Sequence, residues 1–332
     1  MFISVIIPVY NGAKFLPDCL RALTSQSYSS YEVIVVDDCS TDNSAAISHE
    51  FGAKVLKMPL QSGPAGARNL GAQAARGVIL FFVDADVVVK PDTLERVAMD
   101  FVDHQTIAAV FGSYDDEPAE KNFISQYKNL FHRFVHQQAK TEAATFWAGC
   151  GAVRRDVFLS LNGFDAKRYP RPAIEDIELG YRMCSKGHRI LLDKQLQAKH
   201  LKRWSLRSML HADIFCRAVP WSMLIFESQD LVNDLNLQTT DRISAGLVGV
   251  SLVLLPLSII VPEVLLIVVT LLVLIAVLNH KFYRFFIRRK GLRFAALAFP
   301  LHLLYYLYSG FTFVVCWFKY NLASQPPQQS TG

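Results

Sequence analysis

Between Ile243 and Leu278 the chain runs for 36 residues with one ionisable side chain, Glu263. A helix that crosses a bilayer takes roughly 20 residues, so this stretch is too long for one span and too apolar for an ordinary soluble core hairpin. Pro256 and Pro262-Glu263 interrupt it and predict a tight hairpin of two helices, 243–261 and 264–280. Phe294 to Phe318, with Pro300 and His302 inside, predicts a third span. His302 reads as a satisfied polar group within that layer. The intervening segment 281–293 (KFYRFFIRRKGLR) holds six basic residues and no acid, which the positive-inside rule sets on the cytoplasmic face. Residues 199–217 add Lys199, Lys202, Arg203, Arg207 and Arg217 against Asp213. Basic residues beside apolar spans favour an anionic membrane face, not nucleic acid. Ser205 to Phe226 is amphipathic, with Leu206, Met209, Leu210, Ile214 and Phe215 on one face and Pro220-Trp221 ending or kinking it. It reads as an in-plane interfacial helix, with a packing helix as the alternative.

The expected organisation is thus a cytoplasmic domain over 1–230, a membrane domain over 243–320 with about three transmembrane helices, and a disordered Pro/Gln/Ser-rich tail over 321–332. The start, Met1-Phe2-Ile3-Ser4, has no basic n-region, and its first apolar run is only a strand long, so no secretory signal is read. The expected location is the inner, cytoplasmic membrane, multi-pass, with the catalytic domain in the cytoplasm. The six cysteines (19, 39, 150, 184, 216 and 316) show no CxxC and no zinc spacing; they read as small buried thiols.

The first hundred residues alternate strand and helix. Ile3 to Ile7 is a strand ending at Pro8, and Phe15, Leu16, Cys19, Leu20 and Leu23 recur at helical spacing. Glu32 to Val36 is a strand running into Asp37-Asp38. Asn43 to Phe51 is a helix closed by Gly52, Ala53 to Lys57 a short strand, and Ala65 to Ala75 a helix closed by Gly77. The run Val78 to Val83 is apolar throughout, as a central strand buried on both faces must be, and leads into Asp84-Ala85-Asp86. Alternation of this kind predicts βαβ units and a mostly parallel α/β sheet. The loops at Tyr10-Asn11-Gly12, Asp37-Asp38 and Asp84-Ala85-Asp86 then share the edge where such sheets bind ligands. Two carboxylates one residue apart at a strand end suit a hard divalent cation. No GxGxxG follows the first strand and no GxxxxGK[ST] occurs, which leaves a dinucleotide dehydrogenase and a P-loop ATPase poorly supported.

Ser4-Val5-Ile6-Ile7-Pro8-Val9-Tyr10-Asn11, Val33 through Asp42, Gly63-Pro64-Ala65-Gly66-Ala67-Arg68-Asn69 and Asp84-Ala85-Asp86 resemble family 2 glycosyltransferases, inverting enzymes of the GT-A fold. The likeness continues through Trp147 to Ala152, Gly163-Phe164-Asp165 and Glu175-Asp176-Ile177-Glu178-Leu179, covering about residues 2–205. The resemblance implies a nucleoside diphosphate sugar as donor, UDP-linked, and a divalent cation, Mg²⁺ or Mn²⁺, held by Asp84, Asp86 and His200. The alternative for Asp84 is that it faces the ribose or uridine side. Pro8, Val9, Tyr10, Asp37, Asp38 and Arg68 would line the nucleotide, with Asp37 or Asp38 accepting from the uracil N3–H. Gly149, Cys150 and Gly151 would approach the donor sugar, with Arg203 and Trp204 on the acceptor side. Asp176 would be the general base and Glu175 its support.

Processive members carry Gln-x-x-Arg-Trp. Here the motif reads His200-Leu201-Lys202-Arg203-Trp204, so the Gln is replaced and transfer of a single sugar is favoured. Spans beside the site imply a lipid or lipid-linked acceptor. A polyisoprenyl phosphate would already be ionised and need no base, so Glu175-Asp176 argues for a hydroxyl. A polyisoprenyl-phosphate glycosyltransferase and a non-catalytic nucleotide-sugar-binding membrane protein are the alternatives.

Overall fold

The computed structural model describes residues 1–229 and 235–323. The expected tail lies outside the described residues from 324 onward. The chain divides into two compact units, Met1–Leu206 and Arg207–Gly332.

The first unit holds a sheet of nine strands among the described residues. They are β1 (Ile3–Val9), β2 (Tyr31–Asp37), β3 (Lys54–Lys57), β4 (Ile79–Val83), β5 (Val87–Val89), β6 (Ile107–Tyr114), β7 (Glu142–Ala143), β8 (Cys150–Arg154) and β9 (Arg189–His200). Their order is β3-β2-β1-β4-β8-β6-β9-β5, with β7 beside β9. The half read from the βαβ alternation is parallel: β1 pairs with β2 and β4, and β2 with β3. The sheet as a whole is mixed where a mostly parallel one was expected. β8 enters antiparallel between β4 and β6, and β5 and β7 pair antiparallel with β9. Past residue 89 the chain no longer alternates simply, and antiparallel entry needs no crossover helix.

Alternate residues of the central strands face opposite layers. Ile3, Val5, Ile7, Phe81 and Val83 form one core with Leu16, Leu20 and Leu23 of the helix Leu16–Thr24 and Leu94, Val97 and Phe101 of the helix Thr93–Asp103. On the other face Phe82 meets Phe158 and Phe164 in a three-ring cluster with centroids 5.2–5.3 Å apart. β6 and β9 pair in parallel but jump register between Phe111↔Leu192 and Ser113↔Gln197. Gly112 sits at the jump, where a Cβ would fall 1.9 Å from the Leu196 carbonyl oxygen. The shift carries the end of β9 across to β5, with His200 opposite Val87.

Three helices of the described residues are long and apolar enough to cross a membrane: Leu206–Ser228, Thr239–Leu257 and Leu292–Leu322. Glu263–Leu278 and His280–Lys290, bent by 70°, pass that test only together. The expected hairpin and third span therefore lie on Thr239–Leu257, Glu263–Leu278 and Leu292–Ala323. The segment 205–226 lies on the 23-residue helical run Leu206–Ser228. Pro220 does not end it, because it falls at the start of the helix Val219–Ser228, just after a π-helical turn at Ile214–Ala218. A proline is tolerated in the first turn of a helix.

Within the second unit, polar groups from separate helices find each other. The Tyr306 hydroxyl lies 3.0 Å from Asp241 Oδ1 and 2.8 Å from Asn279 Oδ1, and Asn279 donates to the Ser244 hydroxyl at 3.0 Å. The Tyr283 hydroxyl lies 3.0 Å from His302 Nδ1, which satisfies that buried imidazole as expected. Interhelical bonds of this kind hold apolar helices in register.

The ring cluster under the first unit's sheet gives a direct test. Phe82→Ala should cost about 3–5 kcal/mol, read as a lower denaturant midpoint for the first unit. A loss under about 1 kcal/mol would mean that the three rings do not form a tight core.

Candidate active site

β1, β2 and β4 are parallel neighbours, so the chain leaves all three at the same edge. Val9 stands opposite Asp37, and Ile6 opposite Phe82. The first two loops are stitched together. Asn11 Oδ1 accepts from the Thr41 N–H at 2.8 Å, and the Ser40 and Ser44 hydroxyls accept from the Asn11 and Gly12 N–H groups at 2.9 Å. Asn11 and Cys39 take φ of 51° and 65°, a left-handed turn that Asn tolerates better than most residues. Val9 is buried, Pro8 half-buried and Tyr10 exposed, so the Tyr10 ring is the flat surface this loop offers.

Asp37 and Asp38 are both buried, and both brace the backbone. Asp37 Oδ1 accepts from the Ser40 N–H at 2.9 Å. Asp38 Oδ1 and Oδ2 accept from the Ser62 and Gly63 N–H groups at 2.8 and 2.9 Å. The second pair of bonds anchors the start of the helix Gly63–Ala74, which carries Arg68.

Arg68 is 4% exposed and joins two carboxylates. Nη2 donates to Asp84 Oδ1 at 2.6 Å and Nη1 to Glu175 Oε1 at 2.8 Å. The sequence reading had Arg68 on the nucleotide; here its guanidinium ties the loop after β4 to the helix Glu175–Ser185. Glu175 Oε2 also accepts from the Ala173 N–H at 3.0 Å. Asp176, the next residue, receives two backbone N–H groups: Ala148 to Oδ2 at 3.0 Å and Ile177 to Oδ1 at 2.8 Å. Burial first, and then the Glu175 carboxylate, push Asp176 up to about 6. Burial also raises the Asp84 carboxyl above its ordinary range, with Arg68 opposing and Asp86 adding to it.

Ala148 leads into Gly149-Cys150-Gly151, and Cys150 pairs with Val83 across β4 and β8. The Gly149 carbonyl accepts from the Asp84 N–H at 3.4 Å. A Cβ on Gly149 would strike the Trp147 indole at 2.6 Å, and one on Gly151 the Trp147 carbonyl oxygen at 2.3 Å. Both positions therefore need glycine for packing alone. The Cys150 side chain is fully buried, so only the backbone of this segment can meet a ligand.

Asp86 precedes β5 and His200 ends β9, and the antiparallel pairing of these strands brings them together: His200 Nε2 lies 3.4 Å from Asp86 Oδ2. Burial alone would raise the Asp86 carboxyl, but hydrogen bonding from His200 and the charges of His200 and Lys202 hold it below the ordinary range. His200 Nδ1 lies 2.8 Å from Asn129 Oδ1, and the Tyr114 ring stacks on the imidazole at 4.5 Å and 8°. Among the described residues no group of three or more His, Cys, Asp or Glu side chains is placed to hold a metal ion. Of the three expected ligands, Asp86 and His200 stand together, while Asp84 Oδ1 is turned to Arg68. A carboxylate and an imidazole are donors that a divalent cation can take, its other ligands then coming from a diphosphate and water. Arg203 is exposed. Trp204 is buried, with its backbone N–H donating to the Ser125 hydroxyl at 2.7 Å and Lys202 Nζ 4.5 Å above its ring.

Sequence reading missed Asn129, Ser125 and Tyr114, which carry no motif. Asn69 stood inside a quoted motif without a role. It pairs twice with Phe164, accepting at 2.9 Å and donating at 2.8 Å, and so fixes the Gly163-Phe164-Asp165 turn.

Removing one partner of a buried ion pair costs about 3–5 kcal/mol. Arg68→Met should therefore destabilise the first unit by that order, and Arg68→Met with Glu175→Gln should recover part of it. Equal stability of the single variant and wild type, by chemical denaturation, would refute the role of this tie.

Residues 4–161 match the family model described as Glycosyl transferase family 2. Glycosyltransferase GlyG of Streptococcus pneumoniae is 32% identical over 126 residues, 36% of this chain and 42% of that protein. Glycosyltransferase AglE of Haloferax volcanii is 43% identical over 102 residues, 29% of this chain and 34% of that one. The chain thus spans less than half the length of either relative. Mannosyltransferase PcManGT from Pyrobaculum calidifontis, solved in complex with GDP-Man and Mn²⁺, shares the fold with a TM-score of 0.56 at 18% identity, over 97% of this chain and 88% of that one. The family-model match lies wholly within the unit Met1–Leu206, so the likeness to Glycosyl transferase family 2 is carried by that unit.

Proposed function

We propose that this protein is a membrane-bound inverting glycosyltransferase that moves one sugar from a nucleoside diphosphate sugar, UDP-linked, to a hydroxyl of a lipid or lipid-linked glycan. The observation that carries the reading is Asp176: a carboxylate raised to about 6, fixed by two backbone N–H groups and joined through Glu175 and Arg68 to the loop of Asp84. A base tuned near neutral pH can take a hydroxyl proton and still release it.

In this reading the acceptor oxygen attacks the anomeric carbon, the bond from that carbon to the diphosphate breaks, and the acceptor proton passes to Asp176. No carboxylate forms a covalent intermediate, so the configuration inverts. A divalent cation on Asp86 and His200 would supply Lewis acidity to the leaving diphosphate. The nucleotide rests on Tyr10 and beside Asp37. The Asp38 oxygens already accept from Ser62 and Gly63, which favours Asp37 for the base. PcManGT's complex with GDP-Man and Mn²⁺ supports a nucleotide sugar with a cation and makes GDP-mannose the donor to try beside UDP-sugars.

The three apolar helices support a membrane-bound protein with a lipid-linked acceptor. The cationic segment 281–293 supports a cytoplasmic site. Three or four spans, with Arg203-Trp204 but no Gln before them, favour single transfer over polymer export.

The test is nucleotide release by reconstituted protein from UDP- and GDP-sugars, with Mg²⁺ or Mn²⁺ and membrane lipid extract. Asp176→Asn should lower kcat by about 10²–10⁴-fold and leave donor binding intact. Because the base acts deprotonated, kcat should fall as pH drops through about 6. An active Asp176→Asn with no acid limb would sink the base and point to an ionised phosphate acceptor.

A further inference from the structure

We infer that Asn129 is a positioning residue for His200: its side-chain oxygen holds the proton on Nδ1, so that the Nε2 lone pair faces the space shared with Asp86. This rests on the proposal that Asp86 and His200 hold the divalent cation.

The amide orientation follows from its other bond. Asn129 Nδ2 donates to the Ser125 carbonyl oxygen at 3.0 Å, an atom that can only accept. Oδ1 is therefore the atom 2.8 Å from His200 Nδ1, and an amide oxygen can only accept, so Nδ1 carries the hydrogen. A neutral imidazole with its hydrogen on Nδ1 presents a lone pair at Nε2. That lone pair and Asp86 Oδ2, 3.4 Å apart, would both be ligands when the cation is bound; without it, a proton on Nε2 bridges the same gap.

The surroundings prevent the ring from escaping this arrangement. Asn129 is 2% exposed and His200 6%. Tyr114 lies flat against the imidazole, and the Trp147 ring backs Tyr114 edge-on at 4.9 Å. Asn129 comes from the middle of the helix Phe123–Gln138, and its own amide is locked one turn back at Ser125. The same Ser125 hydroxyl accepts from the Trp204 backbone N–H, so one turn of this helix organises both His200 and Trp204. An acceptor on the distal nitrogen of a metal-binding histidine makes that ligand more basic and better aimed. Its loss commonly costs 10–100-fold in metal affinity.

The experiment measures Mn²⁺ affinity by electron paramagnetic resonance on the purified full-length chain, with UDP or GDP present. Nucleotide affinity without metal is measured in parallel. His200→Ala and Asn129→Leu should each weaken Mn²⁺ binding by about 10–100-fold and leave metal-free nucleotide binding unchanged. Asn129→Asp, which keeps an accepting oxygen, should bind Mn²⁺ near the wild-type level. Wild-type affinity in Asn129→Leu, with loss in His200→Ala, would overturn the positioning role and leave the cation reading standing. Wild-type affinity in His200→Ala would overturn both. Where Asn129→Leu also loses nucleotide binding, Asn129→Asp decides: a folded variant without restored Mn²⁺ affinity overturns the inference.

Discussion

One guanidinium bridges two carboxylates that the chain brings from far apart. Arg68 binds Asp84, at the end of a central strand, and Glu175, 107 residues later. Buried at 4% exposure, it cannot be released without stranding Glu175 in a dry interior. The loop of the Asp84-Ala85-Asp86 motif and the helix that opens with Glu175-Asp176 are therefore not free to drift. Asp38 extends the same frame backward by anchoring the start of the helix that carries Arg68. The polar edge of the sheet is a chain of backbone and side-chain bonds, and its geometry is set before any ligand arrives.

That dependence explains what the sequence could and could not disclose. A central parallel strand must be apolar on both faces, so Ile79–Val83 and the acids after it were visible as a pattern. Asp176 stood in a motif with its neighbours. Arg68 was visible too, but its partners were not. A basic residue near a ligand edge reads as a ligand contact, and only the fold shows that it bridges Asp84 and Glu175. Asn129 had no local signal at all, since its partner His200 lies 71 residues away and its own surroundings are an unremarkable helix. The antiparallel entry of β8 and the register jump at Gly112 were hidden for the same reason: they depend on which strand lies alongside, not on local period.

In the second unit the apolar runs were legible because length and composition decide them. Their bounds and partners were not. The amphipathic pattern of 205–226 suggested an in-plane or a packing helix, ended or kinked at Pro220-Trp221. The helix runs through the π-helical turn at Ile214–Ala218 and past that proline to Ser228. Asp241, Ser244 and Asn279 meet Tyr306 across helices that no sequence pattern pairs. A polar group in an apolar layer advertises that it has a partner without naming it.

The two N–H groups on Asp176 carry a consequence for regiochemistry. With Ala148 on one oxygen and Ile177 on the other, the carboxylate cannot swing to follow a hydroxyl, and the lone pairs left to it point in fixed directions. An acceptor glycan offers several hydroxyls of nearly equal acidity. Under the proposed function, the position that receives the sugar is set by how the acceptor is seated against a stationary base, so linkage would change through the residues that hold the acceptor while the base stays where it is.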